Sequence, residues 1–139
     1  IKRIDKSLPL PRYHTLGSAG FDLTAREQVT ILAHEFGYVP LNVALEPPKG
    51  HFMLLAGRSS LHKRGLMSVN GVGIGDADFS GNDDEYKAAL YNFTEAPVTV
   101  ERGARIMQGI FIPVTHAEFE EVDDMNKKTR GGFGSTGVQ

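Results

Sequence analysis

The sequence predicts an all-β fold, a sandwich or barrel of short strands. Short β-rich runs recur along the 139 residues, turn-forming residues separate most of them, and the only helical signal is one turn long. In chain order the runs are Gln28–Ala33, Tyr38–Leu45, His51–Leu55, Leu66–Val72, Tyr86–Phe93, Pro97–Val100, Arg105–Val114 and Ala117–Val122. Their punctuation is Gly37, Pro47-Pro48-Lys49-Gly50, Gly81-Asn82-Asp83-Asp84 and Arg102-Gly103. The helical turn is Leu61-His62-Lys63-Arg64, with Ser59 or Ser60 as N-cap and Gly65 as its stop. No internal repeat or linker interrupts the series. The last ten or so residues form a glycine-rich arm without a strand pattern, so the expected division is a barrel domain over 1–126 and an arm over 127–139.

Composition narrows the function. At 139 residues the chain is one domain with room for a real core. A net charge of −2 gives no general attraction to nucleic acid polymers or anionic membranes, so a polyanionic ligand must be held by a local cationic cluster or a metal. There is no cysteine, which removes disulfide and thiolate chemistry and fits a reducing, cytoplasmic compartment. No apolar run approaches the length of a membrane helix, and no signal-peptide pattern is visible.

Three segments carry chemical interest. Asp76 lies among small residues in Gly73-Ile74-Gly75-Asp76-Ala77-Asp78-Phe79-Ser80-Gly81. An acid in such a turn either caps its own backbone or acts as a general base on water. Asp78 and the run Asp83-Asp84-Glu85 read as a solvated hairpin tip. Arg58-Ser59-Ser60 opens the helical turn, where free N–H groups and hydroxyls suit an anion, or simply form a capped turn; Lys63 and Arg64 add positive charge. The tail Arg130-Gly131-Gly132-Phe133-Gly134-Ser135-Thr136-Gly137 sets an aromatic ring and an arginine among glycines. Such a tail is either a mobile chain end or a cover for a nucleotide, with ring on base and N–H groups on phosphates. Its G-x-G-x-x-G pattern is no dinucleotide site, because only two residues follow it. A Walker motif, a G-x-S-x-G elbow and paired zinc histidines are all absent.

Taken together the segments resemble the trimeric dUTPase family over nearly the whole chain, with five motifs in family order. They are Ala19-Gly20-Phe21-Asp22-Leu23, then Gly57-Arg58-Ser59-Ser60-Leu61, then Asn70 through Gly81, then Gly103-Ala104-Arg105-Ile106-Met107-Gln108, and finally the tail. The resemblance implies a jelly-roll type β-barrel of the β-clip kind. It also implies a homotrimer whose C-terminal arm is exchanged to a neighbouring subunit, and Mg²⁺-dependent hydrolysis of dUTP to dUMP and pyrophosphate. By position, Asp76 would activate the attacking water. Asn70, Gly73 and Ile74 would lie in the uracil-reading hairpin, and Phe79 would pack under the sugar where the family usually has tyrosine. Tyr86 and Lys87 would approximate further base-side positions. Arg58, Ser59, Ser60 and Gln108 would meet phosphates or the water, and Asp22 the metal's water shell. In the tail, Phe133 would stack on uracil while Gly134, Ser135 and Thr136 reach phosphates. Arg130, or Lys128 at the family spacing, would grip the γ-phosphate.

Two departures stand out. Gly75 replaces a large aliphatic residue beside Asp76 and should loosen its turn, and the following hairpin is about three residues longer than in the shortest relatives. The alternatives are a dCTP deaminase-like or bifunctional enzyme and a non-catalytic dUTP-binding regulator. Ala88-Ala89-Leu90 supplies no acid where a deaminase needs one.

Overall fold

A computed structural model describes residues 1–132 of the chain. Eleven strands build it: β1 (Lys2–Arg3), β2 (Phe21–Thr24), β3 (Val29–Ile31), β4 (Phe36–Pro40), β5 (Val43–Ala44), β6 (His51–Gly57), β7 (Leu66–Ser68), β8 (Val72–Gly75), β9 (Lys87–Asn92), β10 (Val98–Val100) and β11 (Arg105–Pro113). One 3₁₀ turn, Leu61–Arg64, lies between β6 and β7. The strands form a four-stranded sheet in the order β2-β11-β6-β8, a three-stranded sheet β4-β9-β7, and the pairs β10-β3 and β1-β5. Every pairing is antiparallel, as expected of a jelly-roll type barrel.

Alternation drives the burial. In β9, Ala88, Leu90 and Asn92 point inward, and in β6 Met53 and Leu55 do the same. Leu23, Ile31, Val39, Leu41, Val100 and Ile106 complete the core. Asn92 is a buried polar post: its Nδ2 donates to the Ile31, Leu32 and Ala96 carbonyls, and its Oδ1 accepts from the Thr94 N–H and hydroxyl. Every polar atom of that side chain is thus satisfied inside the barrel.

The structure corrects several expectations. The run Tyr38–Leu45 is two strands, because Asn42 takes a left-handed φ of 67° between β4 and β5. Leu66–Val72 likewise divides at Gly71, whose φ is 68°. Gly37 is no turn; it lies inside β4, where a Cβ would stand 3.1 Å from Ile31, and the chain reverses at Ala33-His34 instead. Ala117–Val122 forms no strand and is exposed throughout, with three glutamates and no strand paired to it among the described residues. β1 and β2 were not foreseen, since two- and four-residue strands are too short to show a period. Ser60 precedes the 3₁₀ turn without any side-chain cap bond, whereas Gly65 stops it in the left-handed region as expected.

Candidate active site

β8 is the edge of the four-stranded sheet. It pairs with β6 from Ala56↔Val72 to Met53↔Gly75, and on its other side no strand follows among the described residues. Its outer edge is therefore open to a planar ligand beyond Val72, whose N–H is bonded to the Asn70 carbonyl at 2.8 Å. The Asn70-Gly71 turn leads into it and Asp76, exposed, follows it. Asn70, Gly73, Ile74, Asp76, Phe79, Tyr86 and Lys87 all line one cleft of about 480 Å³, together with Tyr38 and Met107, which the sequence did not single out.

Gly75 is buried at the floor of this cleft. A Cβ there would lie 2.5 Å from the Tyr86 hydroxyl oxygen and 2.7 Å from its Cε1. Tyr86 therefore occupies the volume that a side chain at position 75 would need. Its ring also meets Phe79 edge-on, centroids 5.2 Å apart at 79°. Burial, with the Asp76 and Asp84 carboxylates nearby, pushes the Tyr86 hydroxyl's pKa up, so it stays neutral.

Glu85 corrects the reading of 83–85 as a solvated tip. Its Oε1 accepts from Arg26 Nε at 2.8 Å and from the Asn42 N–H at 2.9 Å. The carboxylate raises the Arg26 guanidinium above its ordinary range. The segment is also no hairpin, since β8 and β9 lie in different sheets; it is a loop that Glu85 latches to the β4–β5 bend. Asp84 is local, taking the Gly81 N–H at 2.7 Å, and Lys2 Nζ donates to the Asn82 carbonyl at 2.7 Å.

A second cleft, about 340 Å³, is lined by Asp22, Arg58, Ser59 and Gln108, with His14, Ser18 and Arg105. Asp22 organises it. Its Oδ2 accepts from Arg105 Nη1 at 3.1 Å, its Oδ1 lies 2.8 Å from Arg58 Nε in an ion pair, and His14 Nε2 lies 3.0 Å from both Oδ2 and Arg105 Nη1. Arg105 and Gln108 are three residues apart and would face opposite sides of a regular strand. The register of β11 against β2 shifts between Arg105 and Met107, and this bulge at Ile106 brings both to the same cleft. It also explains why Ile106 and Met107 are both buried in succession. Ser60 is half-buried and lines neither cleft. Arg105 and His14 were missed because nothing in local sequence signals a partner across the sheet. Arg130 is exposed, while Phe133, Gly134, Ser135 and Thr136 lie outside the described residues.

A barrel with a glycine-rich edge strand beside an acid, and a separate turn presenting arginine and serine, defines the class of β-barrel proteins that handle nucleotides. The comparisons sharpen this. The dUTPase family model matches residues 6–137. A deoxyuridine 5′-triphosphate nucleotidohydrolase of Anaeromyxobacter is 45% identical over 133 residues, covering 94% of this chain and 88% of its own. That of Thermobifida fusca is 42% identical, covering 99% and 77%. The crystal structure of dUTPase from Streptococcus mutans superposes with a TM-score of 0.77 at 33% identity, covering 84% of this chain and 94% of its own. A Staphylococcus bacteriophage 80alpha dUTPase structure with dUPNHPP shares the fold at TM-score 0.86 and 23% identity, over 99% and 96% of the two chains. The chain belongs to the dUTPase family. Among the described residues no helix is long and apolar enough to cross a membrane.

Proposed function

We propose that the protein hydrolyses dUTP to dUMP and pyrophosphate, keeping uracil out of DNA and supplying dUMP for thymidylate synthesis. The observation that carries the reading is Asp76 at the end of the free edge strand β8, facing the same cleft as Asn70, Gly73 and Phe79. The unpaired backbone of β8 reads uracil, and the close approach of its backbone leaves no space for a 5-methyl group. Phe79 packs under the deoxyribose and disfavours a ribose 2′-hydroxyl. Asp76 takes a proton from the water that attacks the α-phosphorus, and the pyrophosphate leaves with the bond electrons.

Arg58, the Ser59-Ser60 turn and Gln108 meet the phosphates and neutralise the charge that builds on the bridging oxygen. On one chain Arg58, Ser59 and Gln108 line a different cleft from Asp76. That separation supports a homotrimer in which a complete site is assembled at a subunit junction, with the arm from 127 onward lent across it as a lid. In the lid Phe133 stacks on the base, Gly134, Ser135 and Thr136 reach phosphates, and Arg130 holds the γ-phosphate by its planar fork, with Lys128 the competing cation.

The substrate is the magnesium complex of the triphosphate. Among the described residues no three His, Asp or Glu side chains converge on a metal position. Asp22 is already paired with Arg58 and Arg105, which suits a contact through the metal's water shell. The metal would be held mainly by phosphate oxygens, with Asp22 reaching its water shell, and would supply charge withdrawal from the leaving group.

A panel of dUTP, dTTP, dCTP and UTP with Mg²⁺, scored for pyrophosphate and for ammonia, tests the proposal. Pyrophosphate from dUTP alone is expected. Ammonia from dCTP would make the enzyme a deaminase, and dUTP binding without pyrophosphate would make it a regulator. Asp76→Asn should abolish turnover while dUTP still binds; near wild-type turnover would overturn the base assignment.

A further inference from the structure

Beside Asp76 the chain has no side chain, yet the space is not empty. Tyr86 reaches in from the start of the next strand and sits where a Cβ on Gly75 would collide with it. Tyr86 is 6% exposed and held from three sides. Its N–H donates to the Val43 carbonyl at 3.0 Å and its carbonyl accepts the Leu41 N–H at 2.9 Å. The residue before it is latched by Arg26 and Asn42. From that fixed base one side chain meets two functional positions at once, the backbone that leads into Asp76 and the ring of Phe79. Its hydroxyl has no hydrogen-bond partner among the described residues. Its contacts are those of packing: the hydroxyl oxygen and the adjoining ring edge fill the Gly75 side, and the ring meets Phe79.

We propose that Tyr86 is a positioning residue. Its ring replaces the missing side chain at Gly75, sets the backbone that aims Asp76, and braces the Phe79 ring. Gly75 and Tyr86 form one compensated pair, and Tyr86 is not a contact for the base. The inference rests on the reading of Asp76 as general base. A displacement of about 1 Å at a reacting group costs about 100-fold in rate, so loss of the ring should be read in kcat before it is read in KM.

The test is a cycle of Gly75→Val, Tyr86→Val and the double variant, with Tyr86→Phe and Asp76→Asn as references, each checked for folding by circular dichroism and thermal melting. Tyr86→Phe, which removes only the hydroxyl oxygen nearest Gly75 and keeps the ring, should lower kcat far less than Tyr86→Val. Tyr86→Val should lower kcat by about 100-fold with a much smaller change in KM. Gly75→Val alone should also lose kcat, and the double variant should recover above both singles, since valine at 75 then fills the vacated space. If Tyr86→Val does not fold, Tyr86→Leu replaces it in the same cycle. A valine or leucine variant with full kcat, or single effects that simply multiply in the double, would overturn the pairing. An active Asp76→Asn would instead overturn the base assignment, so the two failures are distinguishable.

Discussion

Replacing Glu85 by alanine removes two bonds from one oxygen. The Asn42 N–H loses its acceptor at 2.9 Å on a residue only 1% exposed, and Arg26 loses its partner at 2.8 Å. A buried N–H left without an acceptor costs about 1–3 kcal/mol, and a bond to a charged group contributes about 1.5–3 kcal/mol. Arg26 keeps part of its side chain in solvent and rehydrates once freed, so little is added for its charge. The expected loss is about 3 kcal/mol. For a domain of this length each kcal/mol lowers Tm by about 3.4 °C, which gives a fall of about 10 °C. Glu85→Gln keeps a carbonyl in place and should lose only about 1 kcal/mol. Thermal and urea unfolding at one fixed protein concentration measure both variants. Arg26→Ala on the Glu85→Ala background should add much less than it does alone, because the pair is already broken. If Glu85→Ala costs under about 0.5 kcal/mol, the range of an ordinary surface substitution, the loop is the solvated tip its composition suggests and the latch is wrong.

Gly65→Ala should cost about 3 kcal/mol in urea unfolding, since φ is 75° and the new Cβ would press on Thr94 Cγ2; Thr94→Ser should return the steric part. Asp5 titrates far below the usual carboxylate range, chiefly through Arg102 at 2.6 Å and then through Ser7. Its depressed folded-state value stabilises the protein above the ordinary carboxylate pKa, and that contribution is lost as pH falls toward the folded value. In Arg102→Ala, NMR should show Asp5 titrating higher, and the stability gap to wild type should close on acidification. Deleting residues 130–139 should leave the melting curve in place and cut dUTP turnover sharply; a truncated enzyme with wild-type kinetics would make the arm decorative. Arg130→Ala should raise KM more than Lys128→Ala, and the reverse order would give the γ-phosphate to Lys128.

The all-β class, most strand positions, the Gly65 stop and the segments that line the two clefts were legible in the sequence. Each is a local property: β-rich composition, turn residues, or a motif whose members are neighbours in the chain. Three contacts between distant segments were not legible. The bulge at Ile106 decides that Arg105 and Gln108 share a face, and a bulge is a misfit between two strands far apart in sequence. The latch of Glu85 depends on Arg26 and Asn42, 59 and 43 residues away. The position of Tyr86 over Gly75 turns an apparent loosening of the Asp76 turn into a filled contact, and only packing between β8 and the start of β9 creates it. Local chemistry sets which residue types are present and how the chain turns. Which of them meet is settled by registers and close contacts, and those free energies exist only once distant strands are paired and water has been excluded between them.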